Sequence, residues 1–156
     1  MDRLISKLPA SNGWETWGGG ITIDNPDAQD VIVRNNLVSQ NLYFQVAVAT
    51  NVPTQTLTID HNLIDGFRGT EGEVYGAEYV EGDPAFVNAA GADFHLQASS
   101  PAIDAGSAAG APPIDFDRRP RPLDGNGDGT AAYDLGAFET TYYSERVYLP
   151  IIWRGS

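Results

Sequence analysis

The chain has 156 residues, 42% of them hydrophobic, and sets 9 Lys and Arg against 21 Asp and Glu, a formal net charge of −12. That imbalance argues against nucleic acids and anionic membranes as partners, whose phosphates it would repel, and suits divalent cations and neutral or cationic surfaces. With no cysteine there is neither a disulfide nor a thiolate metal site. No stretch reaches the apolar length of a membrane span, and the length fits one domain.

Residues 1–19 lack the apolar core and small-residue cleavage site of a signal peptide, so an exported protein would need a longer precursor. They form a lead-in. Either Trp14 and Trp17 fold over an open first coil or upstream coils are missing, and the second reading is favoured. From Gly20 the pattern becomes regular. "GITID" (20–24) and "QVAVA" (45–49) both alternate apolar residues, and "DVIVRNNLVSQN" is echoed by "TLTIDHNLIDGF". Val33 and Ile59, Asn36 and Asn62, and Leu37 and Leu63 each lie 26 residues apart, and Ile23 precedes Val48 by 25. A period in the twenties with two short strand-like pieces predicts an all-β solenoid of stacked parallel strands. Alternation at Ile21 and Ile23, then at Val31 and Val33, places those side chains inward. Stacking at roughly 4.8 Å puts Asn36 over Asn62, where the amides can bond along the axis. Asparagine also suits left-handed corners. These asparagines are therefore read as structural, and His61, standing where the first copy has Asn35, is a weak catalytic candidate.

The rungs are expected over 20–66. The next segment, to Pro84, is acidic and glycine-bearing and reads as a loop with one short strand. Beyond it come "DPAFV", "DFHLQASSPAIDAG", "DFDRRPRP" and "YDLGAFE" in order. Over Asp83–Glu139 this string resembles the carboxyl-terminal segment of bacterial right-handed parallel β-helix repeat proteins. Those are large extracellular chains with interchangeable carboxyl-terminal anchors. The resemblance implies a short right-handed parallel β-helix with an irregular C-terminal cap, export, and a secreted or cell-surface location. It implies no single reaction.

The residues support a cap over 67–139. Leu96, Ile103, Leu135 and Phe138 would plug the last open coil, while prolines in "SPAIDAG" and "APPID" block further pairing. Asp104 and Asp134 are expected to accept backbone N–H bonds in turns. Arg118, Arg119 and Arg121 are expected to pair with Asp115 and Asp117 and pin a loop. "LDGNGDGT" (123–130) is the first half of a calcium-loop pattern. Asp124, Asn126 and Asp128 alternate with glycines, Thr130 offers its carbonyl, and Asp134 or Glu139 would close the loop. Leu135 stands where the pattern calls for a bidentate Glu. The expected ion is structural Ca²⁺, and the alternative is a solvated turn that binds nothing. Residues 140–156 hold an apolar tail, read as a final strand with Val147, Leu149 and Ile151 on one face.

For this chain alone the enzyme reading is disfavoured. Asp24, Asp60 and Asp65 occupy different coil positions, and Arg34 is the one basic residue within the paired strands. The expected role is a non-catalytic end of an extracellular or cell-surface β-helix protein, structural or interactive, calcium-stabilised and facing polysaccharide or cell-envelope components. Self-association through the open N-terminal coil is a further expectation. Two alternatives stand beside it: the end of a polysaccharide lyase or glycoside hydrolase with its site on upstream coils, and a calcium-dependent carbohydrate-binding module. For the second, Trp14, Trp17, Tyr43 and Trp153 could stack on sugar rings.

Overall fold

A computed structural model of the chain describes residues 19–143. The expectations on Trp14, Trp17, Trp153 and the tail strand of Val147, Leu149 and Ile151 lie outside the described residues. The fold is all-β. Among the described residues nine short strands follow one another: β1 (Ile21–Ile23), β2 (Val31–Arg34), β3 (Leu37–Ser39), β4 (Val46–Val48), β5 (Leu57–Asp60), β6 (Leu63–Asp65), β7 (Val80–Glu81), β8 (Phe86–Asn88) and β9 (Asp93–Leu96). Only two 3₁₀ turns, Thr54–Thr56 and Ala89–Gly91, interrupt them, and no α-helix occurs among the described residues.

The pairing follows the repeat. Strand β4 lies parallel on β1 with Ile23 opposite Val48, β5 on β2 with Val33 opposite Ile59, and β6 on β3 with Leu37 opposite Leu63. The offsets read for Ile23, Val33 and Leu37 are thus ladder registers. Between the strands, Asn36 donates its backbone N–H and its side-chain amide to Asn62 Oδ1, both at 3.0 Å. Asn62, fully buried, reaches Val33 O at 2.8 Å and Asp60 O at 2.9 Å. The corner itself is turned by the preceding residue. Asn35 has φ 58° and His61 φ 47°, the left-handed region that asparagine and histidine enter more readily than most.

Parallel pairing runs past Gly66. Strand β7 lies on β6 with Val80 opposite Leu63, and Ala77 bridges Asp60 in the same sense. Ala77 donates to Ile59 O at 2.9 Å, while Val74 donates to Val46 O at 2.9 Å within an antiparallel bridge of Glu73 to Ala47. This third pass has no copy of the phrase, and its step is 17 residues instead of 26. Gly76 shows why the wording changes. With φ +75°, a Cβ there would stand 2.2 Å from Ile59 O, so the close crossing admits only glycine. The loop before it is held by Glu73, which is buried and accepts from the backbone N–H groups of Gln45, Arg68 and Thr70. Burial pushes the Glu73 carboxyl up, and those N–H groups outweigh it, leaving it below the ordinary range.

Because side chains alternate across a strand, the β3–β6–β7 sheet has two distinct faces. Val38 and Ile64 point to one, where Val46, Ile21 and Ile59 meet them. Leu37, Leu63 and Val80 point to the other. There the C-terminal segment packs Leu96, Ala102 and Leu135 against Leu63, with Ile103 beside them. A further cluster of Ile23, Val33, Val48, Ala49 and Val52 fills the space between β1–β4 and β2–β5. Leu63 and Ile64 are both fully buried, the mark of a parallel sheet covered on both faces.

This placement corrects the expected plug. The segment from Asp83 onward lies along the side of the strand stack, not across its last coil, because its apolar residues meet the outward row of Leu37, Leu63 and Val80. It also reaches the first pass. Asn35 Nδ2 donates to Ser107 O at 2.8 Å, and Gly136 N donates to Asn35 O at 2.8 Å. Phe138 stays outside the cluster, packed against His95 and Phe116. Among the described residues, the segment's one strand pair is the antiparallel β8–β9, joined through the Ala89–Gly91 turn.

Candidate functional site

The Asp/Asn/Gly loop is closed by its own backbone. Asp124 accepts from Gly127 N at 2.7 Å and Gly129 N at 2.9 Å. Asn126 Oδ1 accepts from Asp128 N at 2.8 Å, and Asp128 Oδ1 from Thr130 N at 2.7 Å. Asp104 holds the loop from below, taking Gly125 N at 3.2 Å and Asn126 N at 2.9 Å. The structure therefore gathers Asp124, Asn126, Asp128 and Thr130 on one partly exposed turn. Asp134 does not join them. It is fully buried, and its two oxygens accept from Asp104 N at 2.8 Å and Thr140 N at 2.6 Å. Burial pushes its carboxyl up to about 6, against the pull of those N–H groups. Among the described residues, no three His, Cys, Asp or Glu side chains gather where they could hold a metal ion. The oxygens of Asp124, Asn126 and Asp128 fit a hard cation by chemistry, and Asp134 does not fit as a closing ligand.

Beneath this loop lies a buried ion pair. Arg121 Nε donates to Glu139 Oε1 at 2.5 Å, and the two side chains are 3% and 0% exposed. Glu139 also accepts from Leu123 N at 3.0 Å and Asp134 N at 3.2 Å, while Arg121 Nη2 donates to Asp134 O at 2.7 Å. The expected partners differ in part. Arg121 pairs with Glu139, not with Asp115 or Asp117; Asp115 instead accepts the backbone N–H groups of Arg119 at 2.7 Å and Glu139 at 3.0 Å. Arg119 Nη2 stands 3.8 Å from Asp117, a loose and exposed pairing. Asp104 and Asp134 do serve as acceptors for backbone N–H groups, as their turn contexts predict.

On the strand stack, the ladder sets Arg34 over Asp60. Their bidentate pair, 2.5 and 2.6 Å, uses Nε and Nη2. The Arg34 hydrogen bond holds the Asp60 carboxyl below its usual range. Asp65, likewise on the strands, takes Ser39 Oγ at 2.6 Å. Two of the three aspartates considered for catalysis are therefore engaged along the ladder.

One constellation was not singled out from sequence. His95, on β9, sits between two carboxylates. Its Nδ1 is 2.6 Å from Asp93 Oδ1 and its Nε2 is 2.8 Å from Asp117 Oδ2. The Asp117 bond, followed by the Asp93 bond, raises the imidazole above its ordinary value. Its ring stacks on Phe138 at 4.1 Å between centroids. Next to it opens an apolar cleft of about 500 Å³, lined by Leu37, Ser39, Phe86, Phe94, Phe116 and Phe138 among others. Phe116 is 78% exposed on its rim. A second depression of about 750 Å³, with Ile32, Arg34 and Ile114 in its walls, shares Phe116 and Ala137 with the first. Spacing could have hinted at part of this: "DFH" places Asp93 and His95 on one strand face. Asp117 is 22 residues away and only the fold supplies it.

Against known proteins, no family model, curated protein or solved structure matches the chain.

Proposed function

We propose that this chain is the carboxyl-terminal portion of a right-handed parallel β-helix carried by an exported bacterial protein, with a structural and binding role at the cell surface or outside it. The observation that supports this reading most is the register. Residues 26 apart in two copies of one phrase are ladder partners, and their asparagines bond along the stacking direction. A solenoid grows by that rule. The lateral segment then gives the stack a finished side, with Leu96, Ala102 and Leu135 on the outward row. The cleft beside it exposes Phe94 and Phe116, flat apolar rings of the kind that stack on sugars, next to partly exposed carboxylates able to accept hydroxyl bonds.

The test is affinity electrophoresis of the full chain through gels containing neutral or uronate polysaccharides, run beside assays for reducing ends and unsaturated products. Retardation without turnover is expected, weakened in Phe116→Ala. Turnover would overturn the reading in favour of a lyase or hydrolase, and migration unaffected by every polysaccharide would remove the glycan. Calcium belongs to the same reading through Asp124, Asn126, Asp128 and Thr130. Its oxygens are hard donors and affinity should be of the weak extracellular type. Melting should rise with millimolar calcium and fall back with chelator in the native chain but not in Asp124→Ala. Identical melts would reduce the loop to a turn.

A further inference from the structure

We infer that Asp93, His95 and Asp117 form a proton-dependent latch that fastens the loop around Phe116 to strand β9 and so sets the width of the aromatic cleft. The latch joins parts of the chain that no strand pairing connects. Asp93 and His95 belong to the β8–β9 hairpin, and Asp117 belongs to the loop that carries Phe116. Each side contributes a ring to the cleft, Phe94 from β9 and Phe116 from the loop, and His95 itself rests on Phe138 in the cleft wall.

The chemistry of imidazole makes the fastening conditional. With both nitrogens protonated it donates to two carboxylates at once. The neutral ring has one N–H and one lone pair, so one carboxylate would face that lone pair and the bond would become a repulsion. The latch is therefore closed while His95 carries its second proton and loosens as pH rises past the point where that proton leaves. The surrounding charges agree. Asp93 faces the ring from its own strand and Asp117 from the loop, and Arg119 stands 3.8 Å from Asp117. Strand β8 and the Ala89–Gly91 turn contribute no charged residue, and Phe138 presents only its ring. Asp93 is held below the ordinary carboxylate range by the His95 bond, which keeps it ionised where the histidine titrates.

Backbone bonds in the loop provide the readout. Phe116 N donates to Ala137 O at 2.8 Å and Arg119 N to Asp115 Oδ1 at 2.7 Å, whereas Leu63 N, in the strand stack, donates to Asn36 O at 2.8 Å. Amide hydrogen exchange of the full chain, corrected for the intrinsic pH dependence of exchange, should show Phe116 and Arg119 losing protection about tenfold relative to Leu63 between about pH 6 and about pH 9. His95→Gln, which cannot ionise, should abolish that pH dependence, and Asp117→Asn should leave the loop weakly protected throughout. Nitrogen NMR of the ring should show both His95 nitrogens protonated at about pH 6. Loop protection that does not change with pH, a pH dependence that survives in His95→Gln, or a neutral ring at about pH 6 would each overturn the latch. None of these measurements depends on a bound polysaccharide, so the latch and the proposed binding role fail separately.

Discussion

The strand stack and the segment laid along its side solve the same problem by opposite means. Every buried backbone N–H needs an acceptor. In the stack, parallel ladders supply carbonyl acceptors at each step, and buried side chains such as Asn62 fill the corners. Among the described residues, the lateral segment, broken by prolines and glycines, forms one hairpin and a few isolated bridges. There carboxylates take over. Asp104, Asp115, Asp124, Asp134 and Glu139 all accept from main-chain N–H groups. Much of the acidic excess is thus structural, although composition alone presents it as surface charge. The regular region is built from apolar repeats, and the irregular one from buried acid.

If this contrast is right, the deepest damage should come from the irregular side. Arg121→Ala would leave Glu139 charged and buried without its cation, at a cost of about 4 kcal/mol. Denaturant unfolding should show it. A loss under about 1 kcal/mol would mean that other donors suffice for Glu139. Leu63→Ala should cost about 3 kcal/mol, since the residue is fully buried between the stack and the segment. A much smaller value would show that the two regions separate easily.

The two regions should answer pH in opposite senses. The Asp134 carboxyl is raised in the fold to about 6 from 3.8. The folded state therefore binds this proton more tightly, and its contribution is fully present below the unfolded value and lost as pH rises through about 6. That contribution is on the order of 3 kcal/mol. Asp60 in the stack is shifted down by Arg34, so its contribution is present above its unfolded value and disappears as pH falls through its folded one. Stability measured against pH should lose its fall between about pH 4 and about pH 6 in Asp134→Asn while keeping the fall at lower pH that Asp60 causes; an unchanged slope between about pH 4 and about pH 6 would remove Asp134 as the cause. The smallest effect expected is Asn62→Ala, about 2 kcal/mol for bonds to Val33 O, Asp60 O and Asn36. Thermal melts of the single variant and of one also lacking the Asn36 side chain would reveal whether the pair acts as a unit.

How legible each region was follows from the same contrast. The repeated phrase carried its own register, because side chains that stack must recur at one interval, so Val33 over Ile59 could be read from spacing. The pass through Val74, Ala77 and Val80 could not, because its closest crossing demands Gly76 and its step is shorter. In the loop, Asp124, Asn126 and Asp128 were visible as alternating oxygens, and their neighbours do bond them. Asp134 looked like a fourth ligand because it is near in sequence, yet burial turned it inward.

Local order, then, was the contribution of the sequence itself: an all-β chain, parallel registers of 25 and 26 residues, and the stacking of Asn36 on Asn62, although the left-handed corner fell one residue earlier, at Asn35 and His61. These depend on residues near one another or on like residues stacked at one interval. The tertiary structure alone decided that the final segment runs along the side of the stack, that Arg121 finds Glu139, and that His95 stands between Asp93 and Asp117. Those contacts join unlike residues across irregular chain, where no periodicity relates one partner to the other and tertiary packing, that of Leu63 with Leu135 included, brings them into reach.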